Sequence, residues 1–448
     1  MSATKNGTGW MIAIFILAQV KMQAQDSSNP NFPSKWDLQH CIEYARKNNY
    51  DINSLRLARL GSEQDLLLSR AALYPNLGGS LSQTYTHSKN ANPVVGGFQT
   101  QSSLAGTYSL SSSMILYNGG YLKNDIREKQ LLFESSAYNI EQSENDITLQ
   151  VTSAYLAILL AKENIIYLED LVKTSEAQAE RGQQQFNAGS IARKDLVELQ
   201  AQQANDKYNL VTAQNTEKQN RLTLKQLLLL PTSQPFDIMV PDTVIANALV
   251  PSLDTVQGTA LQNRPEIKNA ALGINIQEIN LAKARAGYLP VISVGGTLST
   301  GYSNNESVDY LKQLDNNFFQ RIGITVSIPI FNNRITKTNV EKTRIAIQQA
   351  TLDARNVNTV LLQQVERAYI NVLNAQGQYD AAAEQLRATQ ESYRIANEQL
   401  KVGVANTVEF LQQKNLYVQA LQAYIQAKYT AALNVKIYEF YAGKPITL

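Results

Sequence analysis

Two periodicities alternate along this chain, and each occurs twice. Over 77–87, Leu77, Leu81 and Tyr85 share one parity while Gly78, Ser80, Ser82, Thr84 and Thr86 hold the other. Over 104–117, Leu104, Tyr108, Leu110, Met114 and Leu116 oppose Thr107, Ser109, Ser111 and Ser113. Period two predicts strands, here a β-hairpin over 77–117. A second hairpin is predicted over 291–331. There Ile292, Val294, Leu298 and Tyr302 stand against Ser293, Thr297 and Ser299, and Ile322, Ile324, Val326, Ile328 and Ile330 against Arg321, Thr325 and Ser327. Pro329 falls on the polar parity near the strand end, a position a sheet tolerates better than its middle. The polar segments 88–103 and 303–318 read as the connecting loops.

After each hairpin the period becomes helical. Ile140, Ile147, Val151, Ala154, Ile158, Ala161, Ile165, Leu168 and Val172 mostly alternate steps of three and four, a coiled-coil seam. Leu361, Val365, Ala368, Val372, Ala375, Tyr379, Ala382 and Leu386 repeat it. The helices are predicted over 121–187 and 335–401, each on the order of 100 Å long at 1.5 Å per residue. Each breaks at a glycine, Gly189 or Gly403, and a second apolar-periodic helix returns over 194–229 or 407–437. The glycines therefore mark the tips of helical hairpins over 121–229 and 335–437. A further helix precedes each β-hairpin, over 53–73 and 265–287, and stops before Pro75 or Pro290 because proline disfavours helix in the residue before it.

The two halves are copies of one plan. Asn49-Tyr50-Asp51-Ile52 matches Arg264-Pro265-Glu266-Ile267, and Leu73-Tyr74-Pro75 matches Tyr288-Leu289-Pro290. Leu116-Tyr117-Asn118-Gly119 matches Ile330-Phe331-Asn332-Asn333, and Gly189 with Asp195 matches Gly403 with Glu409. The chain divides into a first repeat over 25–230, a linker over 231–262 with four prolines and short β-like runs, a second repeat over 263–440, and a tail over 441–448. The fold class is α+β: long coiled-coil helical hairpins plus four strands per chain.

Residues 1–24 read as a secretory signal, with Lys5, an apolar run from Trp10 to Val20, and Met22-Gln23-Ala24 before the cut. That run is shorter than the roughly 20 residues a spanning helix needs, and no later stretch reaches that length. A mature chain in a membrane must then span it as strands. The single cysteine, Cys41, excludes an internal disulfide and a Cys-rich metal site. Leu38-Gln39-His40 before it does not suit lipidation. Near charge balance, with 17% charged residues, gives no basic nucleic-acid-binding face. His40 and His87 stand apart from any acid or nucleophile at an interpretable spacing, so no catalytic residue, metal or cofactor is expected.

Strands with one apolar face and one Ser/Thr/Gly face suit a transmembrane barrel, and the same alternation suits a soluble sandwich. The export signal and the small neutral polar face favour the barrel. Four strands cannot enclose a water-filled lumen, but three subunits with four each close a barrel of twelve and leave no edge in lipid.

Cys41-Ile42-Glu43-Tyr44-Ala45 with Asn48-Asn49, the Tyr74-Pro75 and Leu289-Pro290 helix ends, Ile330-Phe331-Asn332 and the two tips resemble the outer membrane efflux protein family of TolC-like outer membrane factors. The resemblance runs from about Trp36 to the C-terminus. It implies a homotrimer in the outer membrane, with a twelve-stranded barrel in outer-membrane lipid and a helical tunnel through the periplasm. It further implies docking of the tips on a periplasmic adaptor, which joins the channel to an inner-membrane pump of RND or ABC type. The duct itself does no chemistry.

By the same resemblance, acids just past each tip glycine form part of a periplasmic gate, here Asp195 and Glu409, with Gln412 where some members carry a second acid. For Asp195 and Glu409 helix capping is an equal reading, since an acid in a first turn meets the positive end of the helix dipole. The expected adaptor contacts lie within 187–193 and 401–407: Asn187, Gly189, Ser190 and Ile191, then Lys401, Val402, Gly403 and Val404. A periplasmic or surface coiled-coil spacer would account for the helices but leave the amphipathic strands unexplained.

Overall fold

The computed structural model describes residues 35–91, 96–241, 243–404 and 406–447. The expected signal segment 1–24 lies outside the described residues. The first copy runs α1 (Leu38–Asn48), α2 (Tyr50–Ala71), β1 (Asn76–Ala91), β2 (Phe98–Asn118), α3 (Tyr121–Asn187) and α4 (Arg193–Leu227). The second runs α5 (Leu253–Asn263), α6 (Pro265–Ala286), β3 (Val291–Ser303), α7 (Tyr310–Asn316), β4 (Phe319–Ser327), α8 (Ile335–Lys401) and α9 (Thr407–Tyr441). Corresponding helices have equal lengths in the two copies: 11, 22, 67 and 35 residues.

Local chemistry differs where the backbone agrees. α2 starts on Asn49, whose side chain accepts from the Asp51 and Ile52 amides, whereas α6 starts on Arg264 with Pro265 in its first turn. Before α3 the left-handed residues are Gly119 and Gly120. Before α8 they are Asn333 and Arg334. Glycine is required at 119, where a Cβ would stand 2.9 Å from the Ala286 carbonyl oxygen as well as adopting positive φ.

The strands form one antiparallel sheet in the order β1-β2-β3-β4. Register places Leu77, Leu81 and Tyr85 on the same face as Tyr108, Leu110 and Met114, then Val294 and Leu298, then Ile322, Ile324 and Val326. Leu81 and Ile322 on this face are 82% and 85% exposed in the single chain. Helix order follows strand order: α2 packs on α3, α3 on α6, and α6 on α8, so each wall helix continues the strand joined to it.

Several boundaries differ from the sequence reading. β1 and β2 extend into 88–91 and 98–103, where Ser88 pairs with Gln101 and Ala91 with Phe98, because ladder hydrogen bonds need no apolar side chains. Leu116 is the extra residue of a bulge. Ile115 pairs with Ser293 and Tyr117 with Ile292, so Tyr117 rather than Leu116 continues the apolar face. The return strand stops at Ser327, not 331, because its partner β3 begins only at Val291 and Pro329 has no N–H to give. Residues 303–318 are not a plain loop, since they contain α7.

The 231–262 segment holds more than short strand. Trp36 and Ile238 form a parallel bridge against α3, sealed by the Tyr155 hydroxyl 2.6 Å from the Met239 carbonyl oxygen and by Lys162 on Asp237 at 2.5 Å. From Leu253 it is already α5, the counterpart of α1. Val256 and Ala260 of α5 join Leu361, Val365 and Val372 of α8 and Val435 and Tyr438 of α9 in a buried cluster. An 18-residue window of α3 is long and apolar enough to cross a bilayer, contrary to the sequence reading. Ile147, Val151, Ile158 and Ala161 of this helix are buried inside the helical body.

Candidate pore mouth at the helical tips

Both long helices end in the same hydrogen-bond pattern. At the first tip the Gly189 amide donates to the Phe186 carbonyl at 2.9 Å and the Ser190 amide to Gln185 at 2.8 Å. At the second, Gly403 donates to Leu400 at 3.2 Å and Val404 to Gln399 at 2.9 Å. These are Schellman closures around a left-handed residue. Gly189 and Gly403 have φ of +75° and +74° with open space where a Cβ would stand, so dihedral freedom rather than room selects glycine.

The two tips of one chain lie beside each other. Ser190, Ile191 and Asp195 line one cleft of about 470 Å³ with Lys401, Val402 and Gly403. Val402 and Val404 are 74% and 76% exposed, and Asn187 is exposed at the end of α3, its side-chain oxygen accepting from Gln183. Lys401 is held by Glu398 at 2.7 Å.

The two candidate acids sit differently. The Asp195 carboxylate is half-buried and reaches back to accept from the Ala192 amide at 3.3 Å, capping α4, whose cap residue has no polar side chain. α9 is capped the other way round, the side-chain oxygen of its cap residue Asn406 accepting from the Glu409 amide at 2.8 Å. Glu409 is exposed, and its carboxylate has no partner among the described residues. Gln412, also exposed, stands three residues on, along the same helix face. Neither Glu409 nor Gln412 lines the cleft.

The sequence reading missed what pins the second hairpin to the first. Lys414 of α9 is fully buried and donates to Asp206 of α4 at 2.7 Å, with Gln202 donating to the other Asp206 oxygen at 2.8 Å. Burial pulls the Lys414 ammonium below its ordinary range, against the opposing pull of Asp206. Two heptads on, Lys428 holds both oxygens of Glu163 on α3 at 2.9 Å, joined by the Tyr429 hydroxyl at 2.6 Å. The signal was present: Asp206 falls in the step pattern Leu199, Gln203, Asp206, Leu210, Ala213, and Lys414 in Thr407, Phe410, Lys414, Tyr417. Charged residues in a seam require partners.

Both histidines serve local structure, His40 on the Asp37 cap at 2.7 Å and His87 on Ser102 across the β1–β2 pair at 2.8 Å. No group of three or more His, Cys, Asp or Glu suited to a metal ion occurs among the described residues.

A sheet with one bare apolar face, prolonged helix by helix into a long coiled-coil wall, is the architecture of a channel subunit. Residues 41–228 and 256–436, most of the chain, match the outer membrane efflux protein family. The chain belongs to that family. Outer membrane efflux protein BepC of Brucella suis biovar 1 is 22% identical over 385 residues, covering 86% of this chain and 80% of BepC. Outer membrane protein TolC of Vibrio cholerae serotype O1 is 23% identical over 403 residues, 89% of each. A crystal structure of CusC superposes with a TM-score of 0.77 at 19% identity, covering 90% of this chain and 91% of CusC. The protein is thus an outer-membrane efflux-family protein with a TolC-like fold, its helical tunnel in the periplasm.

Proposed function

We propose that three copies of this chain assemble into a passive exit duct of a tripartite efflux or type I secretion system. Substrates enter at the periplasmic tips, delivered by an inner-membrane pump of RND or ABC type through a periplasmic adaptor, and leave through a twelve-stranded barrel in outer-membrane lipid. The observation that carries this reading is the shared order of sheet and wall. β1 and β4 are free edges among the described residues, and α2 and α8 are the free edges of the helical wall directly beneath them. An open sheet edge in lipid leaves backbone groups unsatisfied, and joining β4 of one copy to β1 of the next removes every such edge. The wall edges are apolar as well. Leu57, Leu60 and Leu68 of α2, and Ile345 and Leu352 of α8, are each more than half exposed in the single chain. Burial of both rows by neighbouring copies supplies the hydrophobic drive for assembly.

In such a trimer Glu409 forms a ring of three carboxylates at the far end of the tunnel, which attracts cations as carboxylate rings do in other pores. Reconstitution of the purified protein in planar bilayers is expected to give discrete, long-lived conductance steps. A protein that inserts and conducts nothing under any applied voltage, with its adaptor present or absent, contradicts the reading.

A further inference from the structure

The β3–β4 connection lies at the end of the sheet remote from the helical body, because helices precede β1 and β3 and follow β2 and β4. Its helix α7 is fastened down by polar contacts. Thr300 donates to the Leu314 carbonyl at 2.5 Å, and Asn317 to the Gly301 carbonyl at 2.8 Å. Gln313, 4% exposed, accepts from the Ser303 amide at 2.8 Å and donates to the Val308 carbonyl at 2.6 Å. The Tyr310 ring meets Tyr302 edge-on at 4.8 Å, and its hydroxyl lies 3.3 Å from that of Tyr108.

The face on which α7 rests decides its role. Tyr108, Thr300 and Tyr302 have the parity of Leu110, Leu298 and Val294, so α7 covers the apolar face and not the Ser/Thr face. Tyr302 lies flat over Gly106, where a Cβ would come within 2.3 Å of the ring. On its far side α7 presents Leu311, 71% exposed, and just beyond its end Phe318, 55% exposed, with Lys312 between them in sequence. A short helix with its backbone satisfied, aromatic rings beneath it and apolar side chains outward suits the boundary between acyl chains and headgroups, where Tyr and Phe form the girdle of a transmembrane barrel. Lys312 can extend its ammonium to the headgroup level.

We propose that α7 is an interfacial helix embedded in the outer leaflet on the outside of the barrel, and that Leu311 and Phe318 contact lipid. It is then a membrane anchor and not a cover over the pore. The inference rests on the reading that the apolar sheet face meets lipid, with which the outward side of α7 is continuous.

Spin labels test the two separately. The native Cys41 is fully buried and burial pushes its thiol up to about 12, so introduced cysteines label selectively. Leu311→Cys, Phe318→Cys, Ile322→Cys and Ser82→Cys are labelled in protein reconstituted in lipid vesicles, and collisions with oxygen and with a water-soluble nickel complex are compared. The expected result is oxygen in excess at 311 and 318, by less than at mid-strand 322, and nickel in excess at 82. Nickel in excess at 311 and 318 with oxygen in excess at 322 overturns the proposal alone. Shielding of 311 and 318 from both reagents overturns it too, by showing a protein cover. Nickel in excess at 322 overturns the lipid-facing reading itself.

Discussion

The two helical tips of one chain share a backbone and differ in charge. Gly189 and Gly403 close α3 and α8 with nearly the same φ and the same hydrogen-bond pattern. Six residues past each glycine stands an acid, yet Asp195 accepts from the Ala192 amide with its carboxylate, whereas α9 is capped by the Asn406 side chain on the Glu409 amide. Duplication preserved the turn and let the side chains divide the work. Of the two acids matched by sequence position, Asp195 accepts from a backbone amide of its own helix start, whereas the exposed Glu409 carboxylate has no partner among the described residues.

The largest effect is expected where the hairpins are pinned together. Lys414→Met leaves Asp206 buried without its cation and costs about 3–5 kcal/mol, the usual consequence of removing one partner of a buried pair. Lys414→Met combined with Asp206→Leu is expected to recover most of that stability, read as the thermal midpoint of the assembled protein. If the single variant melts with the parent, the pin contributes nothing to holding the second hairpin against the first.

Capping comes next and sharpens the contrast between the tips. Asn406→Ala is expected to cost about 1 kcal/mol through loss of a side-chain cap. Asp195→Ala should cost roughly half of that, since its contact is long and acts mainly on the helix dipole. Glu409→Ala loses only the dipole contribution of a first-turn acid and should shift the midpoint by less than Asn406→Ala, and a shift as large as that of Asn406→Ala would return Glu409 to a capping role. The smallest effect in energy is the most informative about transport. Glu409→Gln is expected to reduce cation preference, seen in the reversal potential under a salt gradient, while Asp195→Asn changes it less. Equal changes would erase the distinction between the tips.

Much of this was legible in the sequence because strong punctuation brackets strong periodicity. The bounds of α3 follow from Gly119-Gly120 and Gly189 and the end of α8 from Gly403, each flanking an unbroken seam, while α8 starts after Asn333 and Arg334. The strand faces followed from parity alone, until the bulge at Leu116 moved Tyr117 onto the apolar side. α5 and α7 were hidden, one behind four prolines and the other in a short polar stretch where tertiary anchors such as Gln313 decide the conformation. The tip acids were found by position, but which of them is free depended on the neighbouring caps, Ala192 and Asn406, and on side-chain direction. The Asp206–Lys414 pair required knowing which two seams face each other, and this is a property of the packed hairpins.

Among the described residues one chain has two open sheet edges, and its four strands do not enclose a lumen, so a duct requires assembly. Native mass spectrometry of the mature protein, extracted in detergent from the outer-membrane fraction, tests this most directly. A single dominant species of three chains is expected, and a stable monomer or an assembly of two or four chains would overturn the trimeric duct.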